Sequence, residues 1–256
     1  MKKLLTGLLA SSCIGFALFT PVAAQANPVE NTSSLAYSNT ALSQNNERII
    51  AGERSYASNV VQVRFQIDNE EFECSGSLIG QRWVLTARHC ADPKDRITNI
   101  SVATGTTKEF PGTTIPVKNA HVSPHGDVAL LELSSPIRTI APVSLDGNYL
   151  PKAGDIGTII GFGLRANKEY SWYQYKARNQ VIGADVDLYG GPSIYLKGID
   201  GAANHGDSGG PLVINNQVVG VCSMGDVDDP GADKKQTVYY ANIKYHRAWI
   251  KSISGI

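Results

Sequence analysis

At 256 residues, with 42% apolar and 18% charged residues, the chain has enough apolar material for one folded unit or two small fused ones, which argues against disorder throughout. Lys and Arg total 23, as do Asp and Glu. No global field therefore draws the protein to nucleic acid or an anionic membrane, and a small or neutral partner class fits better.

In chain order, Lys2 and Lys3 precede an apolar stretch from Leu4 to Thr20, and Ala24-Gln25-Ala26 offers small residues at cleavage spacing. Residues 1–26 read as a signal peptide. A membrane anchor competes, but the run is short for a span of roughly 20 residues and contains Ser, Cys and Gly. Lipidation at Cys13 is a weaker rival, because Ala10 stands where a larger aliphatic is expected. No later segment approaches spanning length, so the exported product is expected to lack stable membrane association. Residues 27–48, rich in Asn, Ser, Thr, Ala and Gln, hold too little apolar surface to form a core and read as a propeptide. The character changes at Arg48-Ile49-Ile50-Ala51-Gly52. Loss of the leader removes Cys13 and leaves Cys74, Cys90 and Cys222 in an oxidising compartment, where one pair and one buried thiol is the economical arrangement.

Beyond Arg48, β-rich runs recur at Val60 to Ile67, Trp83 to Ala87, Ile97 to Val102, Val128 to Leu133, Gly157 to Gly161, Pro211 to Ile214, Val218 to Cys222 and Thr237 to Ile243. Gly, Pro, Asn and Asp punctuate them, the pattern of an all-β sandwich or barrel. Only Tyr245 to Ser254 looks helical, with Trp249, Ile250 and Ile253 able to share a face. Pro142 to Asp155 is the best boundary between halves at 49–145 and 146–256.

The run Gly206-Asp207-Ser208-Gly209-Gly210-Pro211 lets the backbone turn tightly around an accessible hydroxyl, although a Gly-rich turn holding a Ser is by itself usually only a turn. Two further segments give it company. Cys74-Ser75-Gly76-Ser77-Leu78-Ile79 leads through Trp83-Val84-Leu85-Thr86-Ala87 to Arg88-His89-Cys90, and His125-Gly126-Asp127-Val128-Ala129-Leu130-Leu131 brings an Asp to the start of an apolar strand. In these motifs, and in the order His, Asp, Ser, the chain from Ile49 to Ile256 resembles the chymotrypsin/trypsin-like serine peptidases. That resemblance implies two six-stranded antiparallel β-barrels with a C-terminal α-helix. It also implies His89 as general base, Asp127 as its orienting carboxylate and Ser208 as nucleophile, with the Gly206 and Ser208 N–H groups as oxyanion hole. His121 and His125 are rival imidazoles outside the Thr-Ala-x-His-Cys pattern.

By the same resemblance, cleavage after Arg48 frees the Ile49 amine to pair with Asp207, so the chain is a zymogen that needs an activating protease. A Cys74–Cys90 disulfide is implied, closing a loop of about 15 residues worth roughly 3 kcal/mol. Cys222 then stays a small buried hydrophobe. Counting from Ser208 places Ala202 at the base of the primary pocket with Ala203 beside it, Ser223, Met224 and Gly225 along a wall, and Val238 opposite. With no acid at that base, an apolar, small-to-medium P1 side chain is expected. Asp226, Asp228 and Asp229 read as a solvated acidic turn, their rival role being a partner for a substrate cation. No His, Cys or carboxylate cluster at metal spacing appears, and no metal or cofactor is expected. The expected product is a secreted serine endopeptidase acting on protein or peptide substrates; a non-catalytic binding module and an esterase are the alternatives.

Overall fold

The computed structural model describes residues 49–227 and 230–256; the expected leader, the expected propeptide with Arg48, and Asp228 and Asp229 lie outside them. After β1 (Glu53–Arg54), six strands form a closed barrel: β2 (Val60–Ile67), β3 (Glu70–Gly80), β4 (Trp83–Thr86), β5 (Ile97–Ala103), β6 (Thr114–Val122) and β7 (Ala129–Leu133), in the order β2-β3-β4-β7-β6-β5. A second barrel contains β8 (Ile156–Gly161), β9 (Tyr175–Val186), β10 (Pro192–Gly198), β11 (Pro211–Ile214), β12 (Gln217–Gly225) and β13 (Thr237–Asn242). Its order is β9-β10-β13-β12-β11-β8, the β8–β9 pairing closes it, and β1 lies along the outside of β9. Every strand pairing is antiparallel. The helix α1 (Arg247–Ser254) ends the chain. The protein therefore has the expected architecture of two six-stranded antiparallel barrels and one C-terminal helix.

Local chemistry explains the register. Asp68 and Asn69 sit at φ 52° and 71° between Ile67 and Glu70, which face each other in the ladder. A two-residue hairpin with both central residues at positive φ matches the twist of its strands, and Asn and Asp tolerate that region well. Asn215 and Asn216, at 52° and 61°, do the same between β11 and β12. In β2, Val61, Val63 and Phe65 bury one face, while the buried Gln62 amide donates to the Gly105 and Thr107 carbonyls at 3.0 and 3.1 Å.

One apolar cluster fills the first barrel and continues through Val218, Val221, Ala241, Ile243 and Ile250 of the second half. At roughly 1.5–3 kcal/mol for each large aliphatic buried, this shared cluster holds the two barrels together. A second cluster, including Ile49, Ile159, Tyr175, Leu212 and Tyr240, fills the other barrel. Buried Ile250 and half-buried Trp249 and Ile253 place the expected helical face against the first cluster, although Ile243–Tyr245 forms a 3-10 turn and α1 begins only at Arg247. Among the described residues, no helix is long and apolar enough to cross a membrane.

Candidate active site

His89 lies in a 3-10 turn, Arg88–Cys90, directly after β4. A disulfide from Cys90 to Cys74 of β3 fixes one side of this turn, and the Arg88 guanidinium pairs with Asp92 at 2.8 Å on the other. Asp127, fully buried just before β7, meets the histidine twice: Oδ2 stands 2.8 Å from His89 Nδ1, and Oδ1 accepts the His89 backbone N–H at 3.0 Å. Ser223 Oγ donates to Asp127 Oδ2 at 2.6 Å. A buried carboxylate is tolerable only when its oxygens are satisfied in this way. With the carboxylate at Nδ1, the imidazole is held in the tautomer that carries Nδ1–H and presents Nε2 as a proton acceptor.

His89 and Ser208 line one cavity of about 410 Å³, with no hydrogen bond joining their side chains. Separations of this kind commonly tighten only once substrate is bound. His121 and His125 do not line the cavity; the His121 ring packs against Trp83, and the His125 ring stands edge-on to His246. His246 is buried with Nδ1 2.8 Å from Ser123 Oγ, and its pKa is pushed down to about 4, by burial first and then by neighbouring His125.

The loop carrying Ser208 hangs on the first barrel. Ser75 donates its N–H to the Ser208 carbonyl at 2.8 Å and its hydroxyl to the Gly206 carbonyl at 2.9 Å. Gly206 adopts φ +94°, a conformation that side-chain-bearing residues rarely take. Among the described residues, no protein acceptor takes the N–H of Gly206 or Ser208. Asp207 points the other way into the protein. Its carboxylate accepts the Gly163 and Asn204 N–H groups at 2.8 and 2.9 Å, and burial pushes its pKa up to about 6 against the pull of those bonds. Ile49 is buried and Ile50 bridges to Ala202, so the segment after Arg48 is seated in the second barrel.

Of the expected pocket residues, Ala203, Ser223, Met224, Gly225 and Val238 line the cavity, and Gly225 and Val238 face each other across β12 and β13. Ala202 does not: it is fully buried beneath the surface, paired with Ile50, and Ala203 supplies the methyl that meets the cavity. Among the described residues Cys222 is the free cysteine, buried and part of the lining; burial raises its thiol pKa first, with Asp207 adding to the shift. The Asp226 carboxylate is engaged by the hydroxyls of Tyr195, at 2.8 Å, Thr237 and Tyr239. Burial disfavours its charge, but those three donors outweigh it and hold the carboxyl below its ordinary range. Cys74, His89 and Cys90 bring ligand atoms within 4.8 Å of one another, yet both sulfurs are committed to the disulfide and do not constitute a metal site.

Sequence reasoning passed over Leu188 and His205, which also line the cavity, and Asp187, which touches Asp127. Their turn and loop positions carry no periodic signal, and only the fold brings Leu188 to His89.

Two antiparallel barrels with a His–Asp couple from one and a glycine-flanked serine from the other define a class of hydrolase-like clefts. The trypsin family model matches residues 49–250, and the chain belongs to that family of trypsin-like serine proteases. Trypsin iota of Drosophila melanogaster is 31% identical over 79% of this chain and 87% of its own. Snake venom serine protease homolog 1 of Trimeresurus stejnegeri is 30% identical over 82% and 88%. An uncharacterized peptidase of Corynebacterium glutamicum is 31% identical over 82% and 73%. Among solved structures, HL collagenase superposes with a TM-score of 0.67 at 24% identity, covering 80% of this chain and 98% of its own. The scabies mite inactivated protease paralogue S-I1 gives 0.65 at 23%, covering 79% and 98%. At those identities the two structures establish the shared fold.

Proposed function

We propose that the protein is a secreted serine endopeptidase in which His89, Asp127 and Ser208 form the catalytic triad. The observation that carries this reading is the 2.8 Å pairing of His89 Nδ1 with buried Asp127 in the cavity that also holds Ser208. Ser208 Oγ attacks the scissile carbonyl while its proton passes to His89 Nε2, and the carbonyl oxygen gathers negative charge facing the Gly206 and Ser208 N–H groups. Collapse of that adduct breaks the C–N bond, and His89 returns the proton to the leaving amine. Water, deprotonated by His89, then releases the acyl group and restores Ser208.

The chain is made as an exported zymogen: residues 1–26 direct export, residues 27–48 form the propeptide, and a separate protease cleaves after Arg48. The new Ile49 ammonium supplies a cation to pair with buried Asp207, ordering the loop that carries Gly206 and Ser208. Halves at 49–145 and 146–256 contribute the two sides of the cleft. An uncharged lining of Ala203 and Val238, with Ala202 behind, favours small-to-medium apolar P1 side chains, and Asp226 is occupied by three hydroxyls.

The names of two similar proteins, a serine protease homolog and an inactivated protease paralogue, favour a second reading, a non-catalytic binding module on the same scaffold. The two readings part on turnover. Chain cleaved after Arg48 is expected to hydrolyse peptides with aliphatic P1 residues, and Ser208→Ala to lower kcat by as much as ~10⁶-fold. No turnover by the cleaved wild type supports the binding module instead, and equal turnover by wild type and Ser208→Ala would remove Ser208 as nucleophile.

A further inference from the structure

The turn between β9 and β10, residues 187–191, reaches from the second barrel to the parts of the first that carry Asp127 and His89. Asp187 is only 3% exposed. Its Oδ2 accepts the Asp127 backbone N–H at 2.9 Å, and its Oδ1 accepts the N–H groups of Tyr189 and Gly191 at 2.9 and 2.8 Å. Gly126 makes room for this grip, since a Cβ there would stand 2.3 Å from Asp187 Oδ2.

The next residue makes a second connection. Leu188 N–H donates to Ser223 Oγ at 3.1 Å, which leaves the Ser223 proton directed at Asp127 Oδ2, 2.6 Å away. Tyr189 makes a third: its ring lies 4.2 Å beneath the Arg88 guanidinium, beside His89, and its hydroxyl donates to Asp95 at 3.3 Å. Three successive residues of one turn thus hold the backbone of Asp127, the hydroxyl on its carboxylate, and the segment that bears the histidine.

We propose that Asp187 is a positioning residue for the reaction, setting the Asp127–His89 geometry through the Asp127 N–H, with its turn as a strap across the two barrels. This role rests on the triad reading given above. A carboxylate suits the task because its four lone-pair sites accept N–H groups on both oxygens at once. Asparagine cannot: whichever way its amide is turned, the NH₂ group confronts at least one backbone N–H.

The test is steady-state kinetics on the full chain cleaved after Arg48, comparing wild type with Asp187→Asn and with Asp187→Ser, whose shorter hydroxyl serves the turn but not Asp127. Both variants are expected to lower kcat by roughly 10- to 100-fold with KM within about twofold, because displacement of a catalytic group by ~1 Å costs on that order. A purely structural role would lower the yield of folded protein and leave kcat per folded molecule unchanged. A kcat within twofold of wild type in either folded variant overturns the proposal, as does a change confined to KM. Failure of both variants to fold also overturns it, by assigning Asp187 to the stability of the chain rather than to the triad. Those outcomes leave wild-type turnover intact; a wild type without turnover defeats the triad reading itself.

Discussion

Asp207 accepts the backbone N–H of Gly163 at 2.8 Å from a fully interior position, so the acidic residue of the loop carrying Ser208 is solvated chiefly by amides, with the Lys108 charge as a lesser influence. Burial lifts its pKa to about 6 from an ordinary 3.8. In the uncleaved chain, between about pH 4 and 6, the folded state therefore holds a proton that the unfolded state has released. The stability this contributes is fully present below about pH 4 and is lost as pH rises through about 6. Relative to an Asp207→Asn variant, the uncleaved protein should lose up to about 3 kcal/mol across that window. After cleavage at Arg48, an ammonium paired with Asp207 favours the charged form, and the sign should reverse. Thermal unfolding of both forms between pH 4 and 7 checks this; the same sign in both would remove Asp207 from activation.

The pocket also makes a prediction about processing. The cavity is lined by Ala203 and Val238, and the one carboxylate among its described lining residues, Asp226, is engaged by three hydroxyls, so the protein should not cleave its own Arg48 bond. Purified intact chain, incubated alone, should retain its N-terminus, and a protease selective for Arg should produce a new one reading Ile-Ile-Ala-Gly. Spontaneous appearance of that sequence in wild type, and not in Ser208→Ala, would show that the cavity accepts an Arg side chain and contradict the apolar preference.

Val238 and Gly225 are neighbours in the β12–β13 ladder and both line the cavity, and of the two only Val238 carries a side chain. Val238→Gly should lengthen the cavity, raising kcat/KM for Phe or Tyr at P1 by about tenfold or more relative to Val, since each buried methylene is worth on the order of 1 kcal/mol. A P1 substrate panel reads the ratio. An unchanged ratio would move the specificity wall elsewhere.

The Cys74–Cys90 disulfide spans 16 positions and anchors the turn that carries His89. Replacing both cysteines by Ala should cost roughly 3 kcal/mol, a Tm decrease of about 6–12 °C for a protein this size. Calorimetry of the double variant reports it, and an unchanged Tm would confine the bond to a local role.

Strands with an alternating or continuous apolar face were legible in the sequence: Val60–Ile67 and Pro211–Ile214 coincide with their expected limits. Those that bury small or polar residues were not. In β9 the inward positions are Tyr175, Ala177, Asn179 and Val181, and the buried Asn179 amide donates to the Gly201 carbonyl, so no hydrophobic rhythm appears. Strand β6 hides behind Pro116 and a polar exterior, and β3 begins with exposed charges before its buried half. His89, Asp127 and Ser208 could be named because each sits in a local motif. Asp187 and Leu188 could not, because their meaning arises only when a turn of one barrel meets a strand of the other.

The central claim is that Ser208 is an activated nucleophile, and covalent labelling measures that directly. Chain cleaved after Arg48 should react with an aliphatic peptidyl organophosphonate, giving one adduct that peptide mapping places on Ser208 and that Ser208→Ala abolishes and His89→Ala strongly slows. No adduct on Ser208 in the cleaved wild-type protein, or an adduct formed equally well without His89, would contradict the account.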